Sequence, residues 1–410
     1  MGAYRYVIIG VLILGALSGY LFHPPVPKGL SEPWKYRLVL GVAKITRVLA
    51  FVKYRIASRN QTFIDTYRGM YRKHRPKELI SGSNIRSKVM NFDGVTVRLY
   101  EPIERKEEAT PAMVFMHGGG LAFANIDVYD RLTRQMAEKL DIVLVSVEYR
   151  KIPEYQFPAQ IEDSMKATRY LLTHASDFKV DASRVAVSGD SAGGYLATVI
   201  AQQVYDDPDL PNIKVQVLFY PGTQMYDFQT PSHQKCSALF GNDGMLTHQT
   251  LAWLGSMYHF GKADFEFMGQ VMSNNHTAPS FKQTKRYQKN INHSLIPKEL
   301  IPDFYQPPPN NTGSDVLWEK IRDVYMDPRH DPLMRDDLRG MPDSFIATCG
   351  FDCIRDDGIM YAKRLEQAGN HVEWVNYNGC FHGVLWQGWI NFKNGKQMLE
   401  DGLAYAKIHL

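Results

Sequence analysis

Four short stretches carry residues that could do acyl-transfer chemistry together: His117-Gly118-Gly119-Gly120, Gly189-Asp190-Ser191-Ala192-Gly193, Asp352 and His382, in that order along the chain. An unassisted serine hydroxyl is a poor nucleophile near neutral pH. It needs a histidine to accept its proton and a carboxylate to hold the imidazole in the right tautomer. Ser191 is the candidate nucleophile, His382 the candidate base and Asp352 the candidate acid. Glycines flanking the serine, Gly189 and Gly193, allow a sharp turn that lifts the hydroxyl clear of the backbone. The run from His117 to Gly120 lets backbone N–H groups approach a tetrahedral oxyanion without side chains in the way, and the N–H of Ala192 acts with them. Gly-x-Ser-x-Gly alone arises by chance in ordinary loops; the two motifs in this order are specific.

The neighbours of these residues have blander roles. His117 is expected to shape the glycine loop by hydrogen bonding rather than to move protons. Asp190 either orders the turn or is simply a polar residue there. Any one of the thirteen histidines taken alone is more often structural than basic, and His382 is singled out by its place in the chain order. Asp356 and Asp357 are close alternatives to Asp352. With no His-Glu-x-x-His and no acidic cluster at ligand spacing, neither a metal nor a cofactor is expected.

Such a set must be held by strands that end in loops. Short β-branched runs at residues 96–100, 112–116, 142–147, 184–188, 215–219, 344–348 and 372–376 read as strands, with helical stretches between most of them from residue 142 on. Alternating strand and helix implies an α/β fold, with a mainly parallel central sheet and helices on both faces. Val185-Ala186-Val187-Ser188 runs straight into the serine turn, and residues 195–204 continue as a helix pattern, which is the strand–turn–helix context the motif needs. The glycine loop likewise follows an apolar strand, at the carboxyl end where open α/β sheets bind ligands. Residues 225–325 differ: they are rich in Met and aromatics, include Pro307-Pro308-Pro309, and read as an inserted lid or cap.

The 410-residue chain has 44% hydrophobic residues, a net charge of +4 and four cysteines, Cys236, Cys349, Cys353 and Cys380. The small net charge gives no nucleic-acid signature, and four cysteines are too few for a disulfide-built scaffold. A single bridge among Cys349, Cys353 and Cys380 is conceivable, as are buried free thiols. Residues 6–22 form an uncharged, mostly apolar run after Arg5 and before His23-Pro24-Pro25. The run is a membrane signal at the short end of what spans a bilayer, read first as an uncleaved anchor over 1–23. A cleaved signal ending near Ala16-Leu17-Ser18 and a buried core helix are the rivals. The Met-Gly start is no myristoylation signal, because residue 6 is tyrosine. Lys28, Lys35 and Arg37 against Arg5 favour a cytoplasmic remainder, whereas sequons at Asn60, Asn275, Asn292 and Asn310 favour the opposite side. Residues 38–52 form a basic amphipathic helix that could lie on a membrane, pack as part of a cap, or both. The expected organisation is an anchor over 1–23, a helical cap or linker region over 24–85, and a catalytic domain over 86–410 with the lid insertion at about 225–325.

Taken with Glu148-Tyr149-Arg150, Pro153-Glu154, Phe157-Pro158-Ala159, Gly194 after the serine motif, and Cys353-Ile354-Arg355-Asp356-Asp357-Gly358 after Asp352, the chain resembles the hormone-sensitive-lipase group of α/β-hydrolases, in the branch of arylacetamide deacetylases and neutral cholesterol ester hydrolases. The resemblance covers most of the chain. It implies an α/β-hydrolase fold, Ser191, Asp352 and His382 as the triad, and Gly118, Gly119 and Ala192 as oxyanion donors. It also implies a single-pass endoplasmic-reticulum protein with a lumenal catalytic domain, which would make the sequons usable. The chain departs from the group in two places. Residues 121–130 contain no cysteine to pair with Cys349, and Glu148-Tyr149-Arg150-Lys151 stands where the group has Asp-Tyr-Arg-Leu. The expected activity is hydrolysis of apolar carboxylic esters at a membrane, through an acyl-serine. Amide hydrolysis would use the same residues, and a non-catalytic ligand-binding protein is the rival from another class. Because a base must be neutral, activity is expected to fall below about pH 6.5, the ordinary histidine value.

Overall fold

The computed structural model describes residue 19 and residues 26–56, 62–71, 76–104, 108–386 and 390–410. Eight strands form one sheet in the order β1-β2-β4-β3-β5-β6-β7-β8. They are β1 Ile85–Phe92, β2 Val95–Pro102, β3 Thr110–Met116, β4 Val143–Glu148, β5 Val180–Asp190, β6 Val215–Phe219, β7 Asp343–Phe351 and β8 Val372–Phe381. The pairings from β4 through β3 to β8 are parallel, while β1 and β2 are antiparallel additions at one edge.

The middle strands are buried on both faces, which is why they read as continuous apolar runs. Alternate residues of β3 feed two cores. Val114 packs with Leu171 and Leu196 from the Ala159–Thr173 and Ala192–Tyr205 helices, and Phe115 with Met136 and Leu399 from the Ile126–Leu140 and Lys393–His409 helices. Each such fully buried side chain contributes roughly 1.5–3 kcal/mol. Strand β1 was not anticipated as such. Its apolar residues are split by Arg86, Ser87, Lys88 and Asn91, and its burial is broken accordingly. Asp93 and Gly94, both at positive φ, close the β1–β2 hairpin.

Residues 220–342 lie between β6 and β7 and form mostly short helices. Several open on a side-chain cap, with Thr230, Thr247, Asp264 and Ser314 each accepting an N–H from the first turn. Tyr226, Phe281, Trp318 and Tyr325 give this region an aromatic core of its own. Before the sheet comes a helix over Pro33–Ile56, tied to the 220–342 region by a Lys44–Asp243 ion pair of 2.9 Å. All four cysteines are buried free thiols. Among the described residues no helix is long and apolar enough to cross a membrane; the anchor expected over 6–22 lies outside them except for Gly19.

Candidate active site

The serine sits on the turn from β5 into the Ala192–Tyr205 helix. Its backbone takes φ 56° and ψ −124°, a costly conformation for a residue with a Cβ. The turn is held by Ser191 N–H donating to the Phe219 carbonyl at 2.9 Å. It also needs glycine at 193, where a Cβ would lie 2.0 Å from the Met116 carbonyl oxygen. His382 follows the end of β8 and Asp352 the end of β7, so parallel packing of β5 through β8 brings three distant residues together. Ser191 Oγ is 2.8 Å from His382 Nε2, and His382 Nδ1 is 2.7 Å from Asp352 Oδ2. With Nδ1 donating to the carboxylate, Nε2 presents its lone pair to the hydroxyl, the tautomer a base requires.

The alternative acids are occupied elsewhere. Asp356 is paired with Arg355 at 2.7 Å, and Asp357 accepts from Gln224 at 2.9 Å with its pKa pushed up by burial.

The glycine loop requires one correction. Gly118 N–H donates to Asp190 Oδ1 at 2.8 Å, so it is turned away from any oxyanion. Among the described residues Gly119 and Gly120 have no backbone N–H partner, and Ala192 opens its helix, where N–H groups lack intrahelical acceptors. The available donors are therefore Gly119, Gly120 and Ala192. Sequence could not show which way the Asp190 carboxylate points.

Asp190 is more than a polar residue beside the serine. It is fully buried and accepts from Gly118 N–H, from Tyr129 OH at 2.9 Å and from Tyr220 OH at 3.3 Å. Burial pushes its carboxyl up to about 6, against the pull of those donors. His117 is packed and hydrogen-bonded within the glycine loop. Its ring stacks on Tyr149, Nδ1 lies 2.8 Å from the Gly118 carbonyl, and Tyr149 OH donates to the His117 carbonyl at 2.6 Å. Burial, then Lys151, pull His117 down to about 4, so it is neutral at physiological pH. Glu148 fixes the helix after the loop by accepting Ile126 N–H at 2.8 Å. Tyr149 and Glu148 belonged to a motif visible in the sequence, whereas Tyr129 and Tyr220 carried no signal.

Ser191 and His382 open into a cavity of about 610 Å³. Its walls come from three parts of the chain: Leu40 and Tyr67 before the sheet, Phe123 and Ile152 from the sheet's loops, and Met225, Trp253, Leu254 and Met268 from the region between β6 and β7. The lining is mostly apolar. Another cluster with ligand-type side chains, Asp343, His371 and His409, lies at the opposite end of the sheet, where β7 begins.

A family model described as the alpha/beta hydrolase fold matches residues 113–285 and 305–386, spanning both motifs and the triad positions. The chain belongs to the α/β-hydrolase family. It is 35% identical over 397 residues to neutral cholesterol ester hydrolase 1 of Bos taurus, covering 93% of each chain. It is 33% identical over 400 residues to arylacetamide deacetylase of Bos taurus, covering 93% of this chain and 94% of that one. The likeness expected from the motifs is thus borne out. Among solved structures, DphMB1 aligns with a TM-score of 0.62 at 25% identity, over 88% of this chain and 98% of that one. The thermostable carboxylesterase EstE1 aligns with a TM-score of 0.60 at 23% identity, over 94% and 99%, which speaks to the shared fold. This α/β-hydrolase is a carboxylic ester hydrolase.

Proposed function

We propose that the protein is a membrane-anchored serine esterase that cleaves carboxylic esters of apolar acyl groups through an acyl-serine intermediate. The observation that carries the reading is the hydrogen-bonded relay Ser191–His382–Asp352 opening into the apolar cavity. Ser191 Oγ attacks the ester carbonyl while His382 Nε2 takes its proton. The N–H groups of Gly119, Gly120 and Ala192 receive the oxyanion, and Asp352 stabilises the imidazolium. His382 then protonates the leaving alcohol, and water repeats the sequence to release the acid. The residues between β6 and β7 act as the lid that shapes the acyl pocket. Because arylacetamide deacetylase is among the relatives, amides of similar shape are a second substrate class for the same relay.

Hydrolysis of p-nitrophenyl esters from acetate to palmitate by wild type and Ser191→Ala in membrane fractions tests this. Loss of turnover in the variant supports the reading, and retained turnover overturns it. The reading also places the domain in the endoplasmic-reticulum lumen, behind an anchor at residues 6–22. A glycosidase-sensitive mobility shift, lost when Asn60, Asn275, Asn292 and Asn310 all become Gln, is expected. No shift in the wild type would contradict lumenal placement.

A further inference from the structure

The helix Pro33–Ile56 changes character along its length. Tyr36, Val39 and Leu40 in its first half are buried against the body. From residue 47 on only Ala50 is buried, while Val48, Leu49, Phe51, Val52 and Ile56 are 52%, 51%, 54%, 46% and 80% exposed. A cluster of exposed apolar residues of this kind on a helix end marks an interaction surface. Arg47, Lys53 and Arg55 stand among these residues, with no ion-pair partner among the described residues. Apolar and cationic groups interleaved on one helix match the layered chemistry of an anionic lipid surface.

The same helix leads to the reaction site. Leu40, Ala43 and Lys44 form part of the wall of the cavity that holds Ser191. Next to the exposed end, Tyr54 meets Phe63 edge-on at 6.3 Å, Phe63 meets Tyr67 at 6.1 Å, and Tyr67 meets Phe123 at 5.2 Å. Phe123 then stacks on Trp253 at 5.9 Å, inside the cavity. These rings make an unbroken aromatic path from the exposed helix end to the acyl pocket. The apolar run at 6–22 ends eleven residues before Pro33, a spacing of at most about 35–40 Å of extended chain. The helix, about 36 Å long, can therefore reach the same bilayer face.

We propose that residues 47–56 dock on the surface of an anionic bilayer, and that an ester dissolved in the bilayer enters along the Tyr54–Phe63–Tyr67–Phe123 path to Ser191. The proposal deepens the esterase reading and rests on it. Full-length protein carrying Leu49→Cys, labelled with an environment-sensitive fluorophore, is reconstituted in phosphatidylcholine–phosphatidylserine vesicles; the native cysteines are buried and stay unlabelled. Quenching by nitroxide-bearing lipid, with protection from aqueous iodide, is expected. Access to iodide would overturn the docking. So would protection from both quenchers, which would mean that the face is covered by the chain's own N-terminal segment or by a second copy.

For the entry route, Val48→Glu/Phe51→Glu is expected to lower kcat/KM about tenfold or more for a long-chain ester held in the vesicles. Hydrolysis of p-nitrophenyl acetate from water should be unchanged. Equal losses on both substrates, or no loss on either, would overturn the route. Lys53→Glu/Arg55→Glu should lose about tenfold on anionic vesicles and little on pure phosphatidylcholine; the same activity on both vesicle types would remove the charge argument. Failure of the esterase reading is separable, because it would show as p-nitrophenyl acetate turnover in Ser191→Ala, while the quenching result does not depend on chemistry.

Discussion

Replacing Asp190 by Asn tests whether a buried carboxylate, rather than a neutral acceptor, holds the glycine loop. Among the described residues no lysine or arginine forms an ion pair with the carboxylate, which accepts from one backbone N–H and two tyrosine hydroxyls. Its pKa rises from an ordinary 3.8 to about 6 on folding. The folded protein therefore keeps a proton that the unfolded chain loses between about pH 4 and 6. Over that window stability falls as pH rises, and above the folded value the penalty is constant. Two pKa units correspond to about 3 kcal/mol, of which about 2 kcal/mol is gained between pH 4.5 and 7.5. Asn carries no charge and removes this dependence.

Urea unfolding of detergent-solubilised wild type and Asp190→Asn at both pH values measures the difference directly. The variant should improve relative to wild type by about 2 kcal/mol on going from pH 4.5 to 7.5, whatever its absolute stability. A stability difference that is the same at both pH values would refute the reasoning. Activity gives an independent reading. Asn retains a carbonyl that can accept Gly118 N–H, so kcat at pH 8 should fall less than about tenfold, whereas Asp190→Ala, which frees the loop, should lose about ten- to a hundredfold.

Other substitutions follow from the same geometry. Asp352→Asn turns an acceptor for His382 Nδ1 into a donor and selects the wrong tautomer; kcat should fall about 10⁴-fold with KM little changed, and a loss under tenfold would exclude Asp352 as the acid. Gly193→Ala places a methyl 2.0 Å from the Met116 carbonyl oxygen and should cost at least about 3 kcal/mol in thermal unfolding; a neutral result would mean that the turn is built differently. Trp253→Ala widens the acyl cavity and should move the optimum of a p-nitrophenyl ester series to longer chains, whereas an unchanged optimum would place the acyl chain elsewhere.

The parts that could be read from the chain were those with a local physical signature. Continuous apolar strands such as β3 and β6 must be buried on both faces, and the serine turn announces itself through its glycines. Strand β1 was hidden because it lies at the sheet edge, where polar residues interrupt the apolar ones, although Asp93-Gly94 marked its hairpin. At the site, chain order and strand ends pointed to Asp352 but left Asp356 and Asp357 as close alternatives; the hydrogen bond to His382 Nδ1 is made by Asp352. The assignment of Gly118 as an oxyanion donor failed, because a carboxylate 72 positions later captures its N–H, a contact that no local pattern encodes. Tyr129 and Tyr220 were invisible for the same reason: their hydroxyls matter only through a buried Asp190 that the fold delivers to them.

The central claim is that Ser191 carries the acyl group during turnover. Rapid-quench peptide mass spectrometry on wild-type protein mixed with p-nitrophenyl butyrate should find a butyryl adduct on the Ser191 peptide, forming with the first burst of p-nitrophenol and absent in Ser191→Ala. Steady turnover with no adduct there, or with the adduct on another residue, would contradict the account.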